Sequence, residues 1–170
     1  QGVSSAASDV YKRQTKKERA GLVIDGLAEC YPDVKCALVY KKPHELLIAT
    51  RLSAQCTDKR VNMVTPALFE KFPDIDSFAA AEPDEVAEYI HSCGLYKTKA
   101  VDIVMMCRML RDDFGGEIPD TIEELVKLPG VGRKTANLIV GDLYGKPALV
   151  CDTHVISCLL YTSPSPRDAH

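Results

Sequence analysis

The stretch LPGVGRKTANLIV, residues 128–140, decides how this sequence folds. Its first residue ends one helix at Leu128. A tight turn follows on Pro129, Gly130 and Gly132, and a new helix opens at once. Glycines allow positive φ and let a ligand approach main-chain N–H groups with no Cβ in the way. Those groups and the first turn of the next helix together form an anion site that needs no net positive charge. Arg133 and Lys134 add charge at the same place. A plain helix–turn–helix corner is the alternative reading of the glycines alone.

Outward from this stretch the signal is helical. A helix is expected over 15–30 with Thr15 as N-cap, and another from Pro43 through HELLIATRLSAQ. Asp58 is expected to cap a third over 59–72, bent at Pro66. Pro83 or Asp84 opens DEVAEYIHSC, which ends at Gly94. A long helix follows from Lys97 to Phe114, stopped by Gly115 and Gly116. Asp120 is expected to cap TIEELVKL, and a further helix covers 133–144. Alternating strand patterns are nearly absent. The fold class is therefore all-α, with short connections.

Composition agrees with a globular chain. Of 170 residues, 46% are apolar and 26% charged, which excludes overall disorder. No run approaches 18 consecutive apolar residues, so no membrane span is expected. The net charge of −3 excludes a whole-protein basic field, although a local basic face remains open. Seven cysteines, at 30, 36, 56, 93, 107, 151 and 158, contain no close pair. That spacing argues against a disulfide framework and a CxxC metal site, and reads as inert thiols in a reducing cytosol. A cytoplasmic location is expected; no charged start followed by an apolar stretch is seen in the first segment.

The two ends differ from the middle. Residues 1–14, QGVSSAASDVYKRQ, and 159–170, LLYTSPSPRDAH, resemble translated sequencing-adapter read-through, with an ordinary tail as the alternative. Both are expected to lie outside the folded domain, taken as 15–158 and incomplete at its C-terminal side.

LPGVGRKTAN, followed by VCDTHV at 150–155, resembles the helix–hairpin–helix and downstream aspartate of the endonuclease III class of DNA glycosylases. LLIATRLSAQCTD at 46–58 and CGLYKTKA at 93–100 resemble two further segments of that family, in the same order. The resemblance covers nearly all of 15–157. It implies a helical bundle of the DNA glycosylase type, acting on double-stranded DNA with a damaged base or abasic site, as a monomer at the nucleoid. A lysine at 134 resembles the bifunctional enzymes that excise oxidised pyrimidines and nick the strand. Adenine glycosylases of the same fold lack it. The resemblance also implies main-chain DNA contacts at Leu128, Gly130, Val131, Gly132 and Arg133, with Gln55 and Leu95 filling the space of an extruded base. The family's four-cysteine [4Fe–4S] loop, C-x6-C-x2-C-x5-C, has no counterpart in this sequence, so no cofactor or metal site is expected here.

The chemistry can be argued beside the resemblance. Strand nicking through an imine needs an amine unprotonated near neutrality, so a lysine doing it must have its pKa lowered. At Lys134 the helix N-terminus and Arg133 both push that way; a solvated surface lysine is the plain alternative. Asp152 can take a proton, orient Lys134, or offset positive charge on the sugar. It also suits an N-cap, and a dual role is expected. His154 reads as local hydrogen bonding. Lys97 and Lys99 are candidate phosphate contacts or solvated helix charges. A mismatch adenine glycosylase and a non-catalytic DNA-binding module remain the alternatives.

Overall fold

A computed structural model describes the backbone of residues 15–162 and the side chains of 15–157. Among the described residues there are nine helices and no strand, as the all-α reading expects. The expected tail 1–14 lies outside the described residues. The chain divides between Cys36 and Ala37 into two units.

The first unit contains α1, Lys16–Cys30. Thr15 caps it as expected: its hydroxyl accepts from the Glu18 amide at 3.2 Å, and the Glu18 carboxylate accepts from the Thr15 amide at 2.8 Å. This reciprocal arrangement satisfies two of the donors a helix start leaves orphaned.

The second unit is built around α2, Pro43–Ser53. Its residues Leu46, Leu47, Ile48, Ala49 and Leu52 expose no surface. A helix apolar on nearly all sides must be surrounded, and α2 packs against α3, α6 and α8. Each buried leucine or isoleucine contributes about 2 kcal/mol of transfer free energy. Pro43 supplies the fixed φ of the first turn, and Glu45 accepts from the Lys41 amide at 2.6 Å.

Helix α3, Asp58–Lys71, runs through Pro66 without interruption. Its N-cap is Thr57 rather than Asp58: the threonine hydroxyl accepts from the Arg60 amide at 3.3 Å. A cap must reach the amide three residues on, which makes Asp58 the first helical residue instead. Helix α4, Ile75–Ala80, was not expected. Asp74 starts it by accepting from the Ser77 amide at 2.8 Å, and Phe78 seats it against Phe72, with ring centroids 5.0 Å apart. Helix α5 is Pro83–Ile90, shorter at its end than the pattern suggested.

Helix α6, Tyr96–Phe114, carries the long-helix pattern. Ala100, Ile103, Val104, Met106, Cys107 and Leu110 line its buried side, facing α4, α5 and α2. Helix α7 is a single turn, Ile122–Leu125. Thr121, not Asp120, caps it through the Glu124 amide. Asp120 instead accepts from Lys146 Nζ at 2.6 Å. Helix α8, Arg133–Tyr144, buries Ala136, Ile139 and Val140 toward α2 and α7. Helix α9, Thr153–Thr162, continues four residues past the expected boundary at 158, and 163–170 lie outside the described residues. No described helix is long and apolar enough to cross a membrane.

Candidate nucleic-acid interface

The hairpin forms because α7 ends in a turn that closes on itself. The Leu128 amide donates to Leu125 and the Val131 amide to Leu128, each at 3.1 Å. Leu128 and Val131 bury their side chains, so the hairpin is anchored by its apolar residues and presents main chain outward. Gly130 has φ +73. A Cβ there would overlap Arg51 Nε and lie 2.8 Å from Arg51 Cδ and 3.0 Å from Asp102 Oδ2. Only glycine fits, on conformation and on space. Arg51 is itself fixed, donating to Asp102 Oδ2 through Nε at 2.9 Å and through its terminal nitrogen at 2.5 Å. This half-buried ion pair between α2 and α6 forms a floor under the turn. Reading the sequence did not find it, since nothing local links residues 51 and 102.

Gly132 is the N-cap of α8, and among the described residues no side chain caps that helix. Its first-turn N–H groups therefore face outward with the positive end of the helix dipole behind them. Gly132, Arg133 and Lys134 are all exposed. Val131 contributes no free amide, because its N–H is already bonded within the turn.

Asp152 stands at the start of α9, where its Oδ1 accepts from the Val155 amide at 2.9 Å. That bond holds its carboxyl below the ordinary carboxylate range, with the charges of His154 and Lys134 adding to the effect. Lys134 and Asp152, 18 residues apart in sequence, are thus within electrostatic reach. Asn137, one turn beyond Lys134, donates its Nδ2 to the Leu149 carbonyl at 2.9 Å and draws the chain before Asp152 onto α8. The sequence reading passed over Asn137, whose role depends on a long-range partner.

Gln55 and Leu95 have φ of +53 and +59, and among the described residues no other non-glycine residue takes positive φ. Such a conformation costs about 1 kcal/mol or more, and persists only where neighbours enforce it. Both side chains are exposed, and Leu95 shows 60% of its surface, so it is not a core residue. The two loops touch: a Cβ on Gly94 would lie 3.3 Å from the Gln55 carbonyl oxygen. Gln55 also follows Arg51 by one turn, which joins these loops to the hairpin floor. Lys97 is exposed. Lys99 is not the surface cation the sequence suggested. It exposes nothing, because its ammonium is turned inward to the Leu52 carbonyl at 2.8 Å.

Among the described residues no three His, Cys, Asp or Glu side chains are grouped to hold a metal. Burial raises the thiols of Cys93 and Cys107 to about 11 and about 12, the opposite of what a thiolate ligand requires. These residues do not fit an iron–sulfur cluster.

An all-helical unit presenting a glycine hairpin and an uncapped helix start has the form of a helix–hairpin–helix fold. The chain belongs to the HhH-GPD superfamily of base excision DNA repair proteins, whose sequence model matches residues 48–166. It is 47% identical over 145 residues to endonuclease III of Synechocystis sp., covering 85% of this chain and 66% of that protein. It is 46% identical over 132 residues to endonuclease III of Bacillus subtilis, covering 78% and 60%. The chain thus spans somewhat less than two thirds of those relatives' length. A solved structure of a trapped endonuclease III–DNA covalent intermediate superposes with a TM-score of 0.77 at 46% identity, over 86% of this chain and 68% of that one. A thermostable thymine-DNA glycosylase superposes at 0.76 with 19% identity, over 86% and 69%, a likeness of fold alone.

Proposed function

We propose that this chain carries the DNA-binding and reacting face of a bifunctional glycosylase/lyase that removes oxidised pyrimidines and nicks at the resulting abasic site. The observation that carries this reading is Lys134 at the uncapped start of α8 with the Asp152 carboxylate in electrostatic reach. The hairpin amides and Arg133 hold a phosphate of damaged double-stranded DNA, while Gln55 and Leu95 enter the stack where a nucleotide has been extruded. Lys134 Nζ gives up a proton to solvent and attacks C1′ of the sugar; the N-glycosidic bond breaks, and the base leaves with a proton taken from water. The ring opens to an imine on Lys134. Loss of a C2′ proton to solvent then expels the 3′ phosphate and breaks the strand, and hydrolysis of the imine by water frees Lys134. Asp152, ionised because its cap bond stabilises the anion, offsets the positive charge that develops on the sugar and on the attacking nitrogen. The reading assigns a monomer working at the nucleoid, in the cytoplasm of a prokaryote.

Borohydride reduction tests it. A duplex with an abasic site is expected to become covalently attached to the native chain, and Lys134→Ala is expected to abolish attachment while still binding a reduced abasic analogue. Undiminished trapping in Lys134→Ala would overturn the assignment. Base release without trapping would make the protein a monofunctional glycosylase, and binding alone a non-catalytic module.

A further inference from the structure

Lys99 is the molecule's unexpected feature. It exposes none of its surface and sits three residues into α6, inside the second unit. A buried ammonium is costly unless its donors are satisfied and its position repays the loss of water. Burial drives its pKa down, and the thiols of Cys56 and Cys93 lie close enough to act on it electrostatically. The Cys56 thiol is in turn a hydrogen-bond partner of Cys93.

Its neighbours connect the two strained loops. The Lys99 main-chain amide donates to the carbonyl of Leu95 at 3.0 Å. Its side-chain Nζ donates to the carbonyl of Leu52 at 2.8 Å, in the last turn of α2 and three residues before Gln55. Cys56 follows Gln55, and Cys93 precedes Gly94, whose backbone lies against the Gln55 carbonyl. One residue therefore holds the start of α6, where Leu95 takes φ +59, against the end of α2, beyond which Gln55 takes φ +53. Neither conformation is favourable by itself. Both exposed tips sit on a single buried tie.

We infer that Lys99 is a positioning residue that sets Gln55 and Leu95 as one two-part wedge for the site of an extruded nucleotide. This rests on the function proposed above, in which those two residues enter the DNA. Lys99 itself touches no DNA. Removing its ammonium leaves the Leu52 carbonyl without its donor and frees the two tips to move separately, while the hairpin and α8 are untouched. The expected consequence is specific. Grip on the phosphate backbone stays, and recognition of the gap in the stack is lost.

The test compares the affinities of the native chain, Lys99→Met and Lys99→Gln for two duplexes, one undamaged and one with a tetrahydrofuran abasic analogue opposite 2-aminopurine. Circular dichroism identifies which variants are folded. In a folded variant the preference for the abasic duplex is expected to fall about tenfold, with undamaged-duplex affinity within about twofold of native. The 2-aminopurine fluorescence change on binding should fall with it. Adding the same substitution to a Gln55→Ala, Leu95→Ala chain should change neither reading, because there is then no wedge to set. A folded variant that keeps its preference overturns the inference and leaves the proposed function standing. Loss of folding in both variants also overturns it, since Lys99 would then determine the fold instead of the wedge. A native chain with no preference for the abasic duplex overturns the proposed function and this inference together.

Discussion

Gly130 and His44 make separate demands on single residues. At Gly130 any side chain meets both a left-handed φ and the Arg51–Asp102 pair. Gly130→Ala is expected to destabilise the second unit by about 2–4 kcal/mol in urea unfolding. Adding Arg51→Ala should relieve the overlap but not the backbone strain, so the double variant recovers only part of the loss. Full recovery, or none, would show that one of the two causes was wrongly assigned. His44 is 7% exposed, and its Nε2 has no hydrogen-bond partner among the described residues. Burial lowers its pKa from the ordinary 6.5, with Lys42 adding to the shift and Glu45 and Asp74 opposing it. Below pH 6.5 the unfolded chain therefore binds a proton that the folded chain resists. The stability from neutral His44 is complete above pH 6.5 and is lost as pH falls through the lowered value. Denaturant midpoints measured from pH 7.5 to 5 should fall less steeply in His44→Gln; identical slopes would exclude His44 as the source.

Element boundaries separate what can be read locally from what cannot. The long helices were legible because their apolar spacing repeats over several turns, as in α6, and α1 started at the expected threonine. The caps of α3 and α7 fell one residue away, on Thr57 and Thr121, because an adjacent aspartate looks equally suitable until the reach to the third amide is known. Helix α4 was missed because six residues between two prolines contain no full apolar period, and only its aromatic contacts with Phe72 and Phe69 reveal why it forms. Lys134, Asp152, Gln55 and Leu95 are singled out by motif resemblance, and their roles are those proposed above. Arg51, Asp102, Asn137 and the inward turn of Lys99 were not legible, since each depends on a partner between 12 and 51 residues away. The start of α9 combines both kinds of information. Asp152→Asn retains an acceptor for the Val155 amide and removes the charge, so it should keep native thermal stability while strand nicking falls. Asp152→Ala should lose activity and also lower Tm. Equal Tm losses in the two variants would mean that the charge, not the cap bond, anchors α9.

For the whole molecule, the proposed function requires a chain of net charge −3 to approach a polyanion. A basic protein would draw DNA in through its long-range field and release many counterions on binding. Here the exposed cations at the hairpin and the helix start it leads into are Lys127, Arg133 and Lys134, with Lys97 and Arg60 near the two tips, while Arg51 is committed to Asp102 and Lys99 is buried. The remaining attraction comes from the unbonded amides and dipole at the start of α8, which act at contact distance and displace few condensed ions. Binding should therefore depend only weakly on salt. From 50 to 200 mM salt, the plot of log K against log salt should have a slope of about −2 to −3 for an undamaged duplex, as expected for two or three neutralised phosphates. Arg133→Ala should reduce that slope by about one while leaving the hairpin amides in place. Fluorescence anisotropy across the salt series measures both quantities. A slope steeper than about −5 would require a basic surface elsewhere on the chain and would displace the hairpin as the main phosphate grip. An Arg133→Ala slope equal to the native one would place that arginine away from the phosphates and overturn its assignment.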